Sequence, residues 1–182
     1  DLGSNPVASL GSINWEGATP TNTSFGLQTR TSADNQNWTN WSGAYQQSGG
    51  SITSSPNRYL QYKANFKTES INTTPSLGKV SLDFNRAPST PSNPTPGGNQ
   101  QLSDNDVLKW DQVNDPDTED ILTYTVTLDD DNNFQSVNST TTGIKGTEIQ
   151  AGQLDNFQNL QEGTKYYWRI KTVDNHNAQS NY

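Results

Sequence analysis

The chain has 182 residues, 28% of them hydrophobic and 16% charged, with a formal net charge of −8 and neither Cys nor Met. This charge disfavours nucleic acid and anionic membrane surfaces, which attract basic patches, and no apolar run reaches the ~18 residues of a membrane-spanning helix. Without Cys there is no disulfide scaffold and no thiolate metal site.

So little hydrophobicity suggests disorder, but five Trp, seven Tyr and five Phe sit inside alternating runs. The expectation is an all-β fold with thin cores and long polar loops. The composition fits the extracellular or cell-surface protein of a microbe. No charged start leads into an apolar stretch, as in a signal peptide. A leader is therefore expected to have been removed, or the sequence to begin inside a longer protein.

Four strands are predicted in the first half, at "SLGSINWEG", "TSFGLQTRTS", "NRYLQYKANFKT" and "LGKVSLDFN". In the third, Tyr59, Gln61, Lys63, Asn65 and Lys67 alternate with Leu60, Tyr62, Ala64 and Phe66; in the fourth, Val80, Leu82 and Phe84 form the inward set. Period-2 alternation marks half-buried strands, and Gly, Pro and Asn interrupt every candidate helix. Between the second and third strands, "NWTNWSGAY" sets Trp38, Trp41 and Tyr45 among turn-forming residues. Exposed aromatic faces stack on the apolar C–H face of a sugar ring, and Asn37, Asn40, Gln46 and Gln47 could meet its hydroxyls. The other reading buries these rings at the end of a thin core. Asn-x-Ser/Thr triplets begin at Asn22, Asn37, Asn40, Asn72 and Asn138. They carry no information, because this composition yields about five in random order.

The segment "NRAPSTPSNPTPGG", residues 85–98, holds four prolines. Proline fixes φ and removes a donor, so the segment is read as a semi-rigid linker or a linker entering a proline-tolerant edge strand. It separates two expected β-sandwich domains, residues 1–86 and 87–182. In the second, "VLKWDQV" and "DILTYTVTLD" read as strands, the latter with Leu122, Tyr124, Val126 and Leu128 at alternate positions. In "TKYYWRIKTVD", Tyr166, Trp168 and Ile170 oppose Tyr167, Arg169 and Lys171.

Residues 9–84, through "FGLQTRTS", "WTNWSG", "RYLQYKANFKT" and "TPSLGKVSLDF", resemble galactose-binding-like jelly-roll domains of microbial secreted and surface proteins. Residues 87–182 resemble fibronectin type III modules. That resemblance implies a core Trp at Trp110 and a core-plugging Leu160. It also implies a turn at Gly163 and a corner tyrosine at Tyr166, whose hydroxyl bonds back to the loop. The family's last strand has no counterpart after "AQSNY", so the sandwich is read as lacking that strand. Either the natural chain continues past Tyr182 or another chain donates the strand.

No catalytic set emerges. His176, the single histidine, lies in a polar loop, and one His without Cys cannot supply the usual metal or nucleophile sets. No carboxylate is expected in an apolar setting that would raise its pKa. Two acidic stretches stand out, "NDPDTED" with Asp115, Asp117, Glu119 and Asp120, and "LDDDNN" with Asp129–Asp131. Alternate carboxylates at Asp115, Asp117 and Asp120 suit a hard cation such as Ca²⁺, although neither stretch has EF-hand spacing, and an unassisted charge run is more often a solvated surface loop. The expectation is a non-catalytic structural or adhesive module of a surface appendage, filament or cell-wall protein. Its partners would be copies of itself, other surface proteins or glycans. The alternative is a carbohydrate-binding accessory module of a secreted polysaccharide-degrading enzyme.

Overall fold

The alternation along β1 (Val7–Ala18), β2 (Thr23–Ser32), β4 (Tyr59–Thr68) and β5 (Ser76–Arg86) is realised as antiparallel sheet in a computed structural model, which describes residues 1–97 and 99–182. Among the described residues all sheets are antiparallel, and helix is confined to two 3-10 turns. The chain divides into two compact units, Asp1–Arg86 and Ala87–Tyr182.

In the first unit β1 pairs with β5, matching Leu10 to Phe84, Ile13 to Leu82 and Trp15 to Val80, and carries β3 (Gly50–Ser51) on its other edge. A second sheet joins β2 to β4 in unbroken register from Thr23–Thr68 to Ser32–Tyr59. Ile13, Phe25, Leu27 and Ile52 form the buried centre, with Leu10, Trp15, Tyr45, Leu60, Ala64, Leu77, Val80 and Leu82 packed around it. Four fully fledged core residues make a thin interior, and polar side chains extend it. Thr29 and Thr31 are wholly buried. Their hydroxyls bond to Tyr45 Oη (2.9 Å) and Ser54 Oγ (2.8 Å), and to the Ser55 carbonyl (2.9 Å). Burial without these partners would cost a few kcal/mol each. Tyr62 and Phe66, on the inward side of β4, remain 48% and 50% exposed, so this face is incompletely covered. Phe84 likewise lies outside the buried cluster, beside Arg86.

The second unit has β6 (Val107–Lys109) paired with β9 (Glu148–Gln150), and a sheet ordered β10 (Tyr167–Val173), β7 (Thr123–Asp129), β8 (Ser139–Ile144). Its core is larger: Leu108, Trp110, Val113, Tyr124, Val126, Leu128, Ile144, Ala151, Leu154, Phe157 and Ile170. Trp110 stands 5.2 Å from Tyr124 and 6.4 Å from Trp168, ring centre to ring centre. The proline-rich stretch is anchored along this unit. Asp111 N–H donates to the Ser92 carbonyl, Thr95 and Lys109 exchange backbone bonds (2.8 and 2.6 Å), and Thr172 Oγ1 donates to the Ser89 carbonyl. Gly98, the last residue of that stretch, lies outside the described residues.

Tyr166 is 4% exposed and its hydroxyl accepts the Gln161 N–H at 3.0 Å. Gly163, at φ +77°, makes the intervening turn, a conformation glycine adopts without steric cost. The outer edge of β10 is met at both ends. Tyr166 exchanges backbone bonds with Gln100, and residues 178–182 fold back so that Ser180 N–H donates to the Thr172 carbonyl. Tyr182 then lies across Arg169, 3.8 Å from the guanidinium, and its hydroxyl meets Thr127 Oγ1 at 3.1 Å.

Candidate functional site

Among the described residues, each unit has an arrangement that brings chemistry-bearing side chains together. In the first, residues 38–45 run antiparallel beside β2. Thr39 N–H donates to the Thr31 carbonyl and Ser42 N–H to that of Thr29, while Leu27 and Tyr45 exchange backbone bonds. The segment starts from a turn built on Asp34. This carboxylate accepts the N–H groups of Asn37 (2.7 Å) and Gln36 (2.9 Å), the Asn37 side-chain amide (2.7 Å) and the Ser32 hydroxyl (3.0 Å). These bonds, those from Asn37 foremost, favour the ionised form and hold the carboxyl far below its ordinary range.

Because β2 turns Phe25, Leu27, Thr29 and Thr31 inward, it turns Gln28 and Arg30 to the outer face, paired with Lys63 and Gln61 of β4. Trp38 and Trp41 are half-buried and lie outside the core cluster. The Arg30 guanidinium sits 5.0 Å from the Trp38 ring centre and 4.5 Å from that of Trp41, with Lys63 Nζ 4.4 Å from Trp41. Each cation–π contact contributes about 0.5–1 kcal/mol at an exposed site. Arg30 Nε donates to Gln61 Oε1, and Asn65 Nδ2 to Gln28 Oε1, so the indoles adjoin a cross-linked field of amides and cations. Tyr45 departs from this platform. It packs against the core, its hydroxyl accepting the Thr53 N–H (2.9 Å) and bonding to Thr29. The cations Arg30 and Lys63 escape a reading that starts from aromatics, although their positions on the polar face of alternating strands were readable.

In the second unit, the loop before β7 and the turn after β10 emerge from the same end of the paired strands, where Thr123 faces Val173. Asp115, Asp117 and Asp120 bring carboxylate oxygens within 4.8 Å of one another, and Asp120 does the same with Asp174 and His176. Asp117 N–H donates to Asp115 Oδ1 (2.7 Å), and Asp120 N–H to the Asp117 carbonyl (3.0 Å). Across the gap, Ile121 N–H donates to Asn175 Oδ1 (3.0 Å), and Asp174 Oδ1 accepts the N–H groups of His176 and Ala178 (both 2.8 Å). The Asp120 side chain is only 6% exposed. One of its oxygens pairs with His176 Nδ1 at 3.2 Å; the other, like one oxygen of Asp115, is buried without a hydrogen-bond partner. Burial above all, and then the neighbouring Asp120, Asp117 and Asp174 charges, push the Asp115 carboxyl up from its ordinary range, against the Asp117 N–H bond that lowers it. The expectation that no carboxylate occupies such a setting fails here, because tertiary packing of two distant loops creates it. His176 is exposed, yet paired with Asp120 rather than merely solvated. An open depression of about 630 Å³ adjoins the cluster, lined by Asp115, Asp117, Asp120, Leu122, Tyr124 and Thr147 among others.

In the other acidic stretch Asp129, Asp130 and Asp131 also bring carboxylate oxygens within 4.8 Å of one another; Asp131 Oδ1 accepts the N–H groups of Asn133 (2.8 Å) and Phe134 (3.1 Å), while Asp129 is fully buried at the end of β7 with one oxygen that meets no partner. The sequence does not single out Asp174, which lies more than fifty residues beyond the "DPDTED" loop and is united with it only by the β7–β10 pairing. No family model matches the chain, and no curated protein does, so both arrangements stand on their geometry.

Proposed function

We propose that the chain is a non-catalytic structural or adhesive module of a microbial cell-surface appendage, filament or cell-wall protein, working outside the cell. The observation that carries this reading is the outer face of β2 and β4. Gln28, Gln61 and Asn65 amides, the Arg30 and Lys63 cations and two partly exposed indoles form one open face. Such a face suits many weak hydrogen bonds and stacking contacts spread over a surface. The bond from Gln161 N–H to the Tyr166 hydroxyl supports kinship of the second unit with fibronectin type III modules. The two facing sheets of the first unit support the jelly-roll resemblance.

A second reading, a carbohydrate-binding accessory module of a secreted polysaccharide-degrading enzyme, is favoured by one specific observation. Trp38 and Trp41 lie outside the core cluster, with the Arg30 guanidinium against both rings. A glycan array and sedimentation of the chain at increasing concentration separate the two. Self-association or adherence to cell-wall material without glycan signal supports the structural module. Saturable glycan binding abolished in the Trp38→Ala/Trp41→Ala variant supports the accessory module. Neither self-association, adherence nor glycan binding would overturn both.

A further inference from the structure

We propose that Asp115, Asp117, Asp120 and Asp174 form a calcium site that ties the 115–121 loop to the turn following β10. Asp120 is the joint. Its carboxylate lies within 4.8 Å of ligand atoms from Asp115 and Asp117 on its own loop, and from Asp174 and His176 on the other. The cluster alone would be an ordinary acidic loop. Beyond the cluster itself, the Asp120 side chain is 94% buried and holds an oxygen that meets no donor, with a second such oxygen on Asp115. A buried anionic oxygen without a partner is costly, and two of them in one carboxylate cluster also repel. A divalent cation among them removes both penalties at once.

The donor set selects the ion. Asp120 shares one carboxylate cluster with Asp115 and Asp117 and a second with Asp174, and such hard oxygens, with water completing the shell, are what Ca²⁺ takes six to eight of at flexible geometry. Mg²⁺ demands near-ideal octahedral geometry and keeps its waters, which loop carboxylates of this density do not favour. The loop and the turn are already joined by the Ile121–Asn175 bond, so the ion would complete a partly organised site. It would brace the end of the sheet where β7 and β10 begin and finish their pairing. Nothing in this site involves the Trp38–Trp41 face, so calcium binding and surface adhesion succeed or fail separately.

The test is calorimetric titration of the chelator-treated full chain with CaCl₂, followed by thermal melts with and without the ion. One Ca²⁺ should bind with a dissociation constant on the order of 10⁻⁴–10⁻³ M, as in extracellular modules. At ten times that concentration the unfolding equilibrium of the second unit should shift about tenfold, raising its melting temperature by roughly 5–10 °C. Asp120→Asn should weaken binding at least tenfold and, without calcium, melt no lower than the parent, because it removes repulsion. Should Asp120→Asn fail to fold, Asp115→Asn carries the same expectation. Three results would overturn the site: no heat and no melting shift up to ~10 mM calcium, binding that survives both Asn variants, or binding lost instead in Asp131→Asn.

Discussion

Replacing Tyr166 by Phe removes one oxygen from the second unit and almost nothing else. The ring is 4% exposed and stays packed, while the Gln161 N–H, 3.0 Å from the hydroxyl, loses its acceptor. A hydrogen bond of this kind contributes about 0.5–1.5 kcal/mol net. Gln161 is itself exposed, so water can reach the freed N–H and the full penalty of an orphaned buried donor does not apply. The expected loss is about 1 kcal/mol. With a urea dependence of roughly 1–1.5 kcal/mol per molar for a domain this small, the midpoint falls by about 0.5–1 M. Bulk fluorescence would mix the units, because Trp15, Trp38 and Trp41 lie in the first and Trp110 and Trp168 in the second. NMR of the indole N–H groups during urea titration reads each unit separately. Trp110 and Trp168 should report the earlier midpoint, and Trp15 should not move. Unchanged Trp110 and Trp168 midpoints would show that the corner bond contributes no stability and refute the reasoning.

Two further perturbations test the first unit. A Cβ added at Gly17 would stand 2.4 Å from the Ser76 carbonyl oxygen and 3.0 Å from the Phe25 ring. Gly17→Ala should therefore cost the first unit about 1–3 kcal/mol, read as an earlier Trp15 midpoint; an unchanged midpoint would mean the strands separate freely. Asp34 is held ionised, with a folded pKa below its ordinary 3.8. Its stabilisation is thus fully present above that value and lost as pH falls towards the folded pKa. The melting gap between parent and Asp34→Ala should be widest at neutral pH and narrow below about pH 4. A gap independent of pH would remove the charge from the account.

The strands were legible because burial writes itself into sequence with period 2. Phe25, Leu27, Thr29 and Thr31 face inward on β2, and Tyr124, Val126 and Leu128 do so on β7. Such a pattern needs only that one face of each strand be dry. Short polar strands such as β8, with the sequence STTTGI, and β9, with EIQ, carry no such record. Their membership in a sheet is set by the neighbours that pair with them. The same division holds for the sites. Trp38 and Trp41 announced themselves as aromatics in a polar segment, but whether they faced core or solvent depended on how residues 38–45 docked beside β2. Tyr45, four residues beyond Trp41, went the other way because its ring packs against the core and its hydroxyl meets the buried Thr29. The "DPDTED" loop displayed its carboxylates openly in the sequence. Their burial, and the arrival of Asp174 and His176 beside Asp120, came only from antiparallel pairing of β7 with β10. Charge can be counted along a chain, whereas the desolvation and mutual repulsion that give a carboxylate its chemistry arise only when distant segments meet in space.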